Sequence, residues 1–99
     1  PSSAASDVYK RQGQALVSKK LVACCNIVPS ITSIFRWKNE LCKESEVLLI
    51  LKSTREKFET IVEEVVKIHS YEVPEIIALP IINGLQKYLQ WVSDETKQN

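Results

Sequence analysis

The chain has 99 residues, 44% of them hydrophobic and 25% charged, with only two glycines and four prolines. This is the composition of one ordinary globular domain, and it excludes a second domain and wholesale disorder. Thirteen basic and twelve acidic residues leave a net charge of +1, and the basic residues are too scattered for a nucleic-acid footprint, so we expect no nucleic-acid partner.

The two longest apolar stretches, Val47–Leu51 and Ile76–Ile82, are far shorter than the roughly 20 residues that cross a bilayer. We therefore expect no transmembrane segment. The first residues also lack a basic region followed by an apolar core, so we expect no secretory signal. These features favour the cytoplasm, or the interior of an organelle after removal of a transit peptide.

The N-terminal residues 1–6 are small and polar without periodicity, and we expect a frayed or truncated end there. Residues 7–99 are expected to form a single domain. From Asp7 to Lys20 an imperfect helical stripe predicts a first helix, with Asp7 able to cap its start. Gln12 and Gly13 weaken this helix.

Two strands are predicted next. The segment from Leu21 to Trp37 is β-like and alternating, and Pro29 interrupts it in the manner of a bulge. Residues 38–40 form a turn candidate because Asn39 tolerates a positive φ. The run Val47–Leu51 is apolar on both faces, which is typical of a central strand, and burial on both sides in so small a chain points to an oligomer.

The clearest helix follows a capping-box pattern in which Ser53 and Glu56 would satisfy each other's backbone donors. A fourth segment, residues 75–79, predicts a strand that ends at Pro80. A last helix carries its apolar stripe from Leu85 to Val92. The predicted order is α, β, β, α, β, α. The apolar stripe of the clearest helix consists of Phe58, Ile61, Val62, Val65 and Ile68.

Four stretches, in the same order and spacing, resemble the CutA divalent-ion tolerance family, and the ending Tyr88-Leu89-Gln90-Trp91 fits as well. Together they cover roughly the last four fifths of the chain, which is far more specific than a single short motif. The four stretches are KLVACCNIVP at residues 20–29, TSIFRW at 32–37, SEVLLILK at 45–52 and HSYEVPEIIALP at 69–80.

This resemblance implies an α+β, ferredoxin-like βαββαβ sandwich with a C-terminal helix. Family members begin with an apolar strand, and nothing in Pro1–Tyr9 resembles it, so the first strand is missing or replaced. The resemblance also implies a homotrimer with clefts between subunits, linked in bacteria to tolerance of copper and other divalent cations. Animal relatives are associated with anchoring of acetylcholinesterase, which implies a possible protein partner.

His69, the only histidine, follows the strongest predicted helix. The family's copper ligands are a first-strand cysteine and histidines at this helix exit, and only His69 occupies a matching position. Imidazole suits Cu(II) and other divalent metals, and a nearby carboxylate, Glu72, could complete the site or orient the ring. The alternative is that His69 bonds the last carbonyls of its helix.

Other side chains are candidates for an interface or pocket between subunits. The alternative for Tyr71 and the two tryptophans is that they simply fill a trimer interface. Cys24 and Cys25 are adjacent in a strand, point to opposite faces and cannot chelate one ion together. With Cys42 they make an odd count, so reduced thiols are expected. The interface or pocket candidates are Trp37, Arg36, Tyr71, Glu75 and Trp91.

Three functional classes follow. The first is a homotrimer that binds divalent metal, copper included, in metal tolerance. The second is a trimeric scaffold or signalling module related to the PII proteins, with a protein partner. The third is an enzyme with a Cys/His thiol mechanism, which we discount because no second base, oxyanion nest or Gly-rich phosphate loop accompanies the pair. No organic cofactor is expected.

Overall fold

The computed structural model describes residues 3–68 and 73–98. Its elements are α1 (Ser3–Ser18), β1 (Cys24–Trp37), β2 (Glu40–Lys52), a 3₁₀ turn (Arg55–Lys57) that leads into α2 (Phe58–Ile68), and α3 (Gln86–Glu95). The strands pair antiparallel as a long hairpin, and α1 packs across both of them. The described elements therefore match the predicted order except at residues 75–79.

The first helix starts earlier than its sequence pattern predicts. It begins at Ser3 rather than Asp7, so residues 3–6, which we expected to be frayed, lie in its first turn, and Asp7 does not cap it. Asp7 instead lies one turn into the helix, where its carboxylate is 4.0 Å from the Lys10 ammonium.

The hairpin confirms the predicted bulge and turn. Pairing shifts register between Val28 and Ile31, around Pro29, which has no N–H to give to a neighbouring strand. At the tip, Lys38 and Asn39 both have positive φ, 50° and 67°. This is the backbone of the two-residue turns whose twist matches that of a hairpin.

The core lies where the two long helices meet the base of the hairpin. Its buried residues come from α1, the loop after α1, and α2, and Leu51 of β2 and Ile76 pack against them. The apolar stripe of α2 is confirmed at its centre, where Ile61 and Val65 are buried. The buried core residues are Leu16, Leu21, Val22, Ile61 and Val65.

The predicted capping box does not form. Thr54, not Ser53, precedes the 3₁₀ turn, and its side chain makes no capping hydrogen bond. The Ser53 hydroxyl instead donates to the carbonyl of Leu21 over 2.5 Å. A contact between residues 32 positions apart in the chain therefore replaces the local one.

The strand predicted at residues 75–79 is also absent from the described fold, where residues 73–85 have no regular secondary structure. A strand exists only if a neighbouring backbone supplies hydrogen bonds. Residues 73–84 make none to any other described residue. Only the hairpin's two strands are therefore found among the residues that the structure describes.

Candidate functional site

The hairpin exposes apolar side chains on both of its faces. Because side chains alternate along a strand and paired residues share a face, Val28, Leu48 and Ile50 form an outer patch on the face opposite the core. Each of the three is 36–44% exposed. On the face that carries Leu51, the hairpin extends beyond the helices, and there Ile34 and Leu41 form a distal patch.

The distal patch is the more exposed of the two. Ile34 is 66% and Leu41 73% exposed. Ile34 pairs with Lys43 and Leu41 with Arg36 across the hairpin, so the two apolar side chains are diagonal neighbours. Contiguous exposed apolar surface of this kind marks an interaction site.

A third apolar surface follows α2. In residues 73–85 five of the large hydrophobic side chains are 66–85% exposed, and Tyr88 and Trp91 of α3 are about 40% exposed. The two rings contact each other, with centroids 5.5 Å apart. The five exposed side chains are Val73, Ile77, Leu79, Ile82 and Leu85.

The predicted metal ligands cannot be placed. His69 and Glu72, together with Tyr71, lie outside the described residues, between the end of α2 at Ile68 and Val73. Within residues 3–68 and 73–98 no three His, Cys, Asp or Glu side chains come together in a group that could hold a metal ion. The described donors alone therefore do not build a metal centre.

The remaining interface candidates lie in separate parts of the molecule. Arg36 and Trp37 are exposed at the tip of the hairpin, where the Lys38 ammonium lies 5.9 Å from the centre of the Trp37 ring. Glu75 is exposed in the irregular segment, and the ring of Trp91 contacts Tyr88. Their common role in a subunit interface stays a prediction.

The adjacent cysteines point to opposite faces, as predicted. Cys24 Sγ lies 3.8 Å from the Lys52 ammonium, which also donates to Asn26. Cys25 faces α1, where its Sγ limits the space beside Gly13. Burial first and the neighbouring Cys24 second raise the pKa of the Cys25 thiol, and Lys52 opposes them. A raised pKa leaves less thiolate, so Cys25 is a weaker nucleophile than an ordinary exposed cysteine, as expected of a packing residue.

Sequence reasoning missed one polar cleft. It has a volume of about 300 Å³ and lies between the start of α2 and the end of α3. The buried Thr54 hydroxyl has no hydrogen-bond partner among the described residues. Of the other polar groups of the cleft, the Thr96 hydroxyl donates to the carbonyl of Val92 and the Lys97 ammonium lies 3.4 Å from the Asp94 carboxylate. The lining residues are Thr54, Glu56, Lys57, Ser93, Thr96, Lys97 and Gln98.

Comparison with known proteins identifies the family. A model of the CutA1 divalent ion tolerance protein family matches residues 3–95. The chain belongs to the CutA1 family. It is 44% identical over 90 residues to the CutA1 relative from Thermus thermophilus, named a divalent-cation tolerance protein, with 91% of this chain and 87% of the relative covered.

A plant relative and two solved structures support the same family assignment. The chloroplastic CutA of Arabidopsis thaliana is 43% identical over 88 residues, but 89% of this chain covers only 48% of that protein, so the chain spans about half of its length. The Thermus structure superposes with a TM-score of 0.87 at 44% identity, covering 92% of this chain and 88% of that one. A Nostoc structure titled PII-like protein CutA has a TM-score of 0.80 at 33% identity, covering 89% and 86%.

These likenesses confirm the CutA family and the ferredoxin-like α+β fold expected from the sequence. The family's name describes tolerance of divalent ions and not a reaction. Among the residues that the structure describes, no helix is both long and apolar enough to span a bilayer.

Proposed function

We propose that this CutA1-family chain forms a homotrimer that binds divalent cations, copper among them, and acts in metal tolerance. The observation that carries the proposal is the uncovered apolar surface of the hairpin in a chain of this family. A domain of about 100 residues buries only part of its apolar surface by itself. A second and third copy would supply the missing cover.

The two hairpin patches favour association through the sheet. The distal patch projects beyond the chain's own helices, and the outer patch has no described element on it. An interface built on such surfaces has an apolar centre and a polar rim. Arg36 and Lys43, which pair with the distal-patch residues across the hairpin, are suited to that rim.

We assign metal binding to His69 and Glu72. A neutral imidazole nitrogen and a carboxylate oxygen are a donor pair that suits Cu(II) and Zn(II). Because the described residues hold no complete donor group, the remaining ligands would come from a neighbouring subunit or from solvent. Glu75, exposed three residues after Glu72, is the described carboxylate nearest to the pair in sequence.

A trimeric scaffold or signalling module is the second candidate. It is supported by the absence of a donor cluster within the described residues and by the likeness to a protein titled PII-like. Such a module would bind a protein partner through the apolar surfaces, and metal binding would not be part of its function. The location of the protein, in the cytoplasm or in the interior of an organelle, remains a prediction for both candidate functions.

Multi-angle light scattering and copper titration together test the proposal. The chain of 11.3 kDa is expected at three times its mass, and the trimer is expected to bind Cu(II). His69→Ala should leave the mass unchanged and weaken Cu(II) binding at least tenfold, whereas the matched change Glu75→Gln should weaken it less. A trimer whose copper affinity is indifferent to His69→Ala supports the scaffold, and a monomer contradicts both candidates.

A further inference from the structure

An exposed asparagine-glycine pair lies just before the last helix. Asn83 and Gly84 precede α3, which begins at Gln86. Both residues are exposed outside regular secondary structure, and the chain bends at Asn83. Neither the side-chain amide of Asn83 nor the backbone N–H of Gly84 makes a hydrogen bond to any described residue. The fold therefore leaves both groups unrestrained.

These two groups are a reactive pair. The Gly84 nitrogen lies on the carbonyl side of Asn83, so a bond from this nitrogen to the side-chain carbon Cγ would close a five-membered ring. A side chain on the second residue would hinder that approach, and glycine has none. Glycine also adopts the widest range of backbone conformations, which helps the nitrogen to reach Cγ.

Packing around Gly84 keeps a larger residue out of this position. A β-carbon built on Gly84 would lie 3.0 Å from Cδ2 and 3.2 Å from Cδ1 of Leu89 in α3. Leu89 would have to shift to accept it, because such contacts are closer than packed carbon atoms normally allow. The fold thus disfavours the side chain that would protect Asn83 from ring closure.

The other described asparagines are held by the hairpin. Asn26 pairs with Ile50 in the strand ladder, its side-chain oxygen accepts a hydrogen bond from Lys52, and the branched Ile27 follows it. Asn39 lies at the hairpin tip with a φ of 67°, and the residue after it, Glu40, carries a side chain and begins β2. Ring closure is hindered at both positions.

We propose that Asn83 is a site of spontaneous deamidation through a cyclic imide with Gly84. The Gly84 nitrogen loses its proton and bonds to Asn83 Cγ, while the bond from Cγ to Nδ2 breaks and ammonia leaves. Water then opens the ring. Attack at Cγ gives aspartate, and attack at the main-chain carbonyl carbon gives isoaspartate. One water is consumed and one ammonia is released, with no oxidant or reductant.

The modification changes the charge and the backbone ahead of α3. The new carboxylate cancels the formal net charge of +1, and a net charge near zero promotes association and precipitation. In the isoaspartyl product the main chain also runs through the former side chain and gains one carbon. This product is a substrate for enzymes that methylate isoaspartyl carboxylates.

The full chain, incubated in mildly alkaline buffer, tests the proposal. Peptide mapping by mass spectrometry follows each asparagine, and an isoaspartyl methyltransferase reports the isoaspartyl product. We expect Asn83 to lose its amide at least tenfold faster than Asn26 or Asn39. An end-capped peptide of residues 80–86, PIINGLQ, gives the rate without the fold, and the chain should react within tenfold of it.

Three variants localise the reaction. Asn83→Gln keeps an exposed amide, but ring closure would then need six atoms, so release of ammonia from position 83 should slow at least tenfold. Gly84→Ala should slow it at least tenfold as well. Asn39→Gln is the matched control and should leave the rate at Asn83 unchanged. Because Gly84→Ala also displaces Leu89, Asn83→Gln, which changes an exposed side chain, tests the chemistry without that disturbance.

Three results would overturn the proposal. The first is a rate at Asn83 that does not exceed those at Asn26 and Asn39. The second is a rate in the folded chain more than tenfold below that of the peptide, which means that the fold holds the pair apart. The third is a rate at position 83 that Asn83→Gln leaves unchanged. Neither copper affinity nor the trimer mass enters any of these measurements.

Discussion

Gly13 of α1 lies directly over Cys25 of β1. A β-carbon at position 13 would be 2.9 Å from Cys25 Sγ and 3.4 Å from its Cβ. This contact explains why a glycine occupies the middle of a helix, where it is otherwise unfavourable. The absence of a side chain lets the helix approach the sheet at the point where Cys25 is half-buried.

Gly13→Ala should therefore destabilise the chain although alanine is the better helix former. Overpacking costs about 1–3 kcal/mol, whereas the gain in helix propensity is about 1 kcal/mol. We expect a net loss of about 1 kcal/mol in the free energy of unfolding, measured by urea denaturation at fixed protein concentration.

The same change made in a Cys25→Ala background gives the control. Without the sulfur, the helix gain remains, and Gly13→Ala should become stabilising by about 0.5–1 kcal/mol. A loss of equal size in both backgrounds would show that the Gly13–Cys25 contact does not determine the cost.

Local sequence patterns correctly predicted the parts of the fold that depend on residues close together in the chain. Asn39 at the turn, the bulge at Pro29 and the period of α2 all follow from short-range rules. The prediction of a strand at residues 75–79 was wrong because a strand forms only when a neighbouring backbone pairs with it, and a local pattern does not supply that neighbour. The partner of Ser53 was equally unpredictable, because Leu21 is distant in the chain and helix capping was the stronger local pattern.

The candidate site divides in the same way. The run Val47–Leu51, apolar on both faces, pointed to an oligomer, whereas Ile34 and Leu41 of the distal patch were not among the expected interface residues. The buried amide of Gln12 left only a weak trace in the sequence, as a residue that interrupts the apolar stripe of α1. Its burial depends on how α1 meets the sheet, which no local pattern encodes.

Ser53→Ala tests the hydrogen bond from Ser53 to Leu21, which is present in place of the predicted capping box. Its hydroxyl donates to Leu21 O over 2.5 Å at a half-buried position, so its loss should cost about 0.5–1.5 kcal/mol of unfolding free energy. Glu56→Gln should change stability by less than about 0.5 kcal/mol, as surface substitutions usually do. If thermal unfolding shows a larger loss of stability for Glu56→Gln than for Ser53→Ala, the result would support the capping box predicted from the sequence.

Glu64 of α2 forms a pH-dependent ion pair with Lys19, the residue that directly follows α1. Its carboxylate lies 2.6 Å from the Lys19 ammonium and 3.2 Å from that of Lys67. Hydrogen bonds from Lys19 first and Lys67 second lower the pKa of Glu64 below its ordinary value. A lowered pKa in the folded state adds stability above the unfolded pKa of about 4.3, and this is lost as pH falls through the folded pKa.

Glu64→Gln should therefore lower Tm at pH 7, and the difference from the native chain should vanish below the folded pKa of Glu64. Glu63→Gln, an exposed neighbour on the same helix, is the matched control and should give no such pH dependence. Lys19→Gln should reproduce more of the Glu64→Gln effect than Lys67→Gln does. A Tm difference that is constant from pH 7 to pH 3 would exclude ionic pairing as its cause.

Gln12→Leu should raise the stability of the free chain. Both polar atoms of the Gln12 amide are buried without a partner in the described part of the molecule, and each such group costs about 1–3 kcal/mol. Leucine has a similar volume and removes the cost, so Tm should rise by several degrees in a calorimetric scan. A fall in Tm would mean that the amide is bonded outside the described residues.

Leu41→Glu tests the proposed trimer at the more exposed side chain of the distal patch. An uncompensated charge buried in an apolar interface costs about 3–5 kcal/mol, so the trimer should dissociate at micromolar concentration. The matched change Val17→Glu converts a 42% exposed side chain on α1, away from the hairpin, and should leave the mass unchanged. Because Leu41 is 73% exposed within one subunit, the fold of that subunit should survive the change. Light scattering separates the outcomes: a monomer with native circular dichroism places the interface on the distal patch, and an intact trimer places it elsewhere.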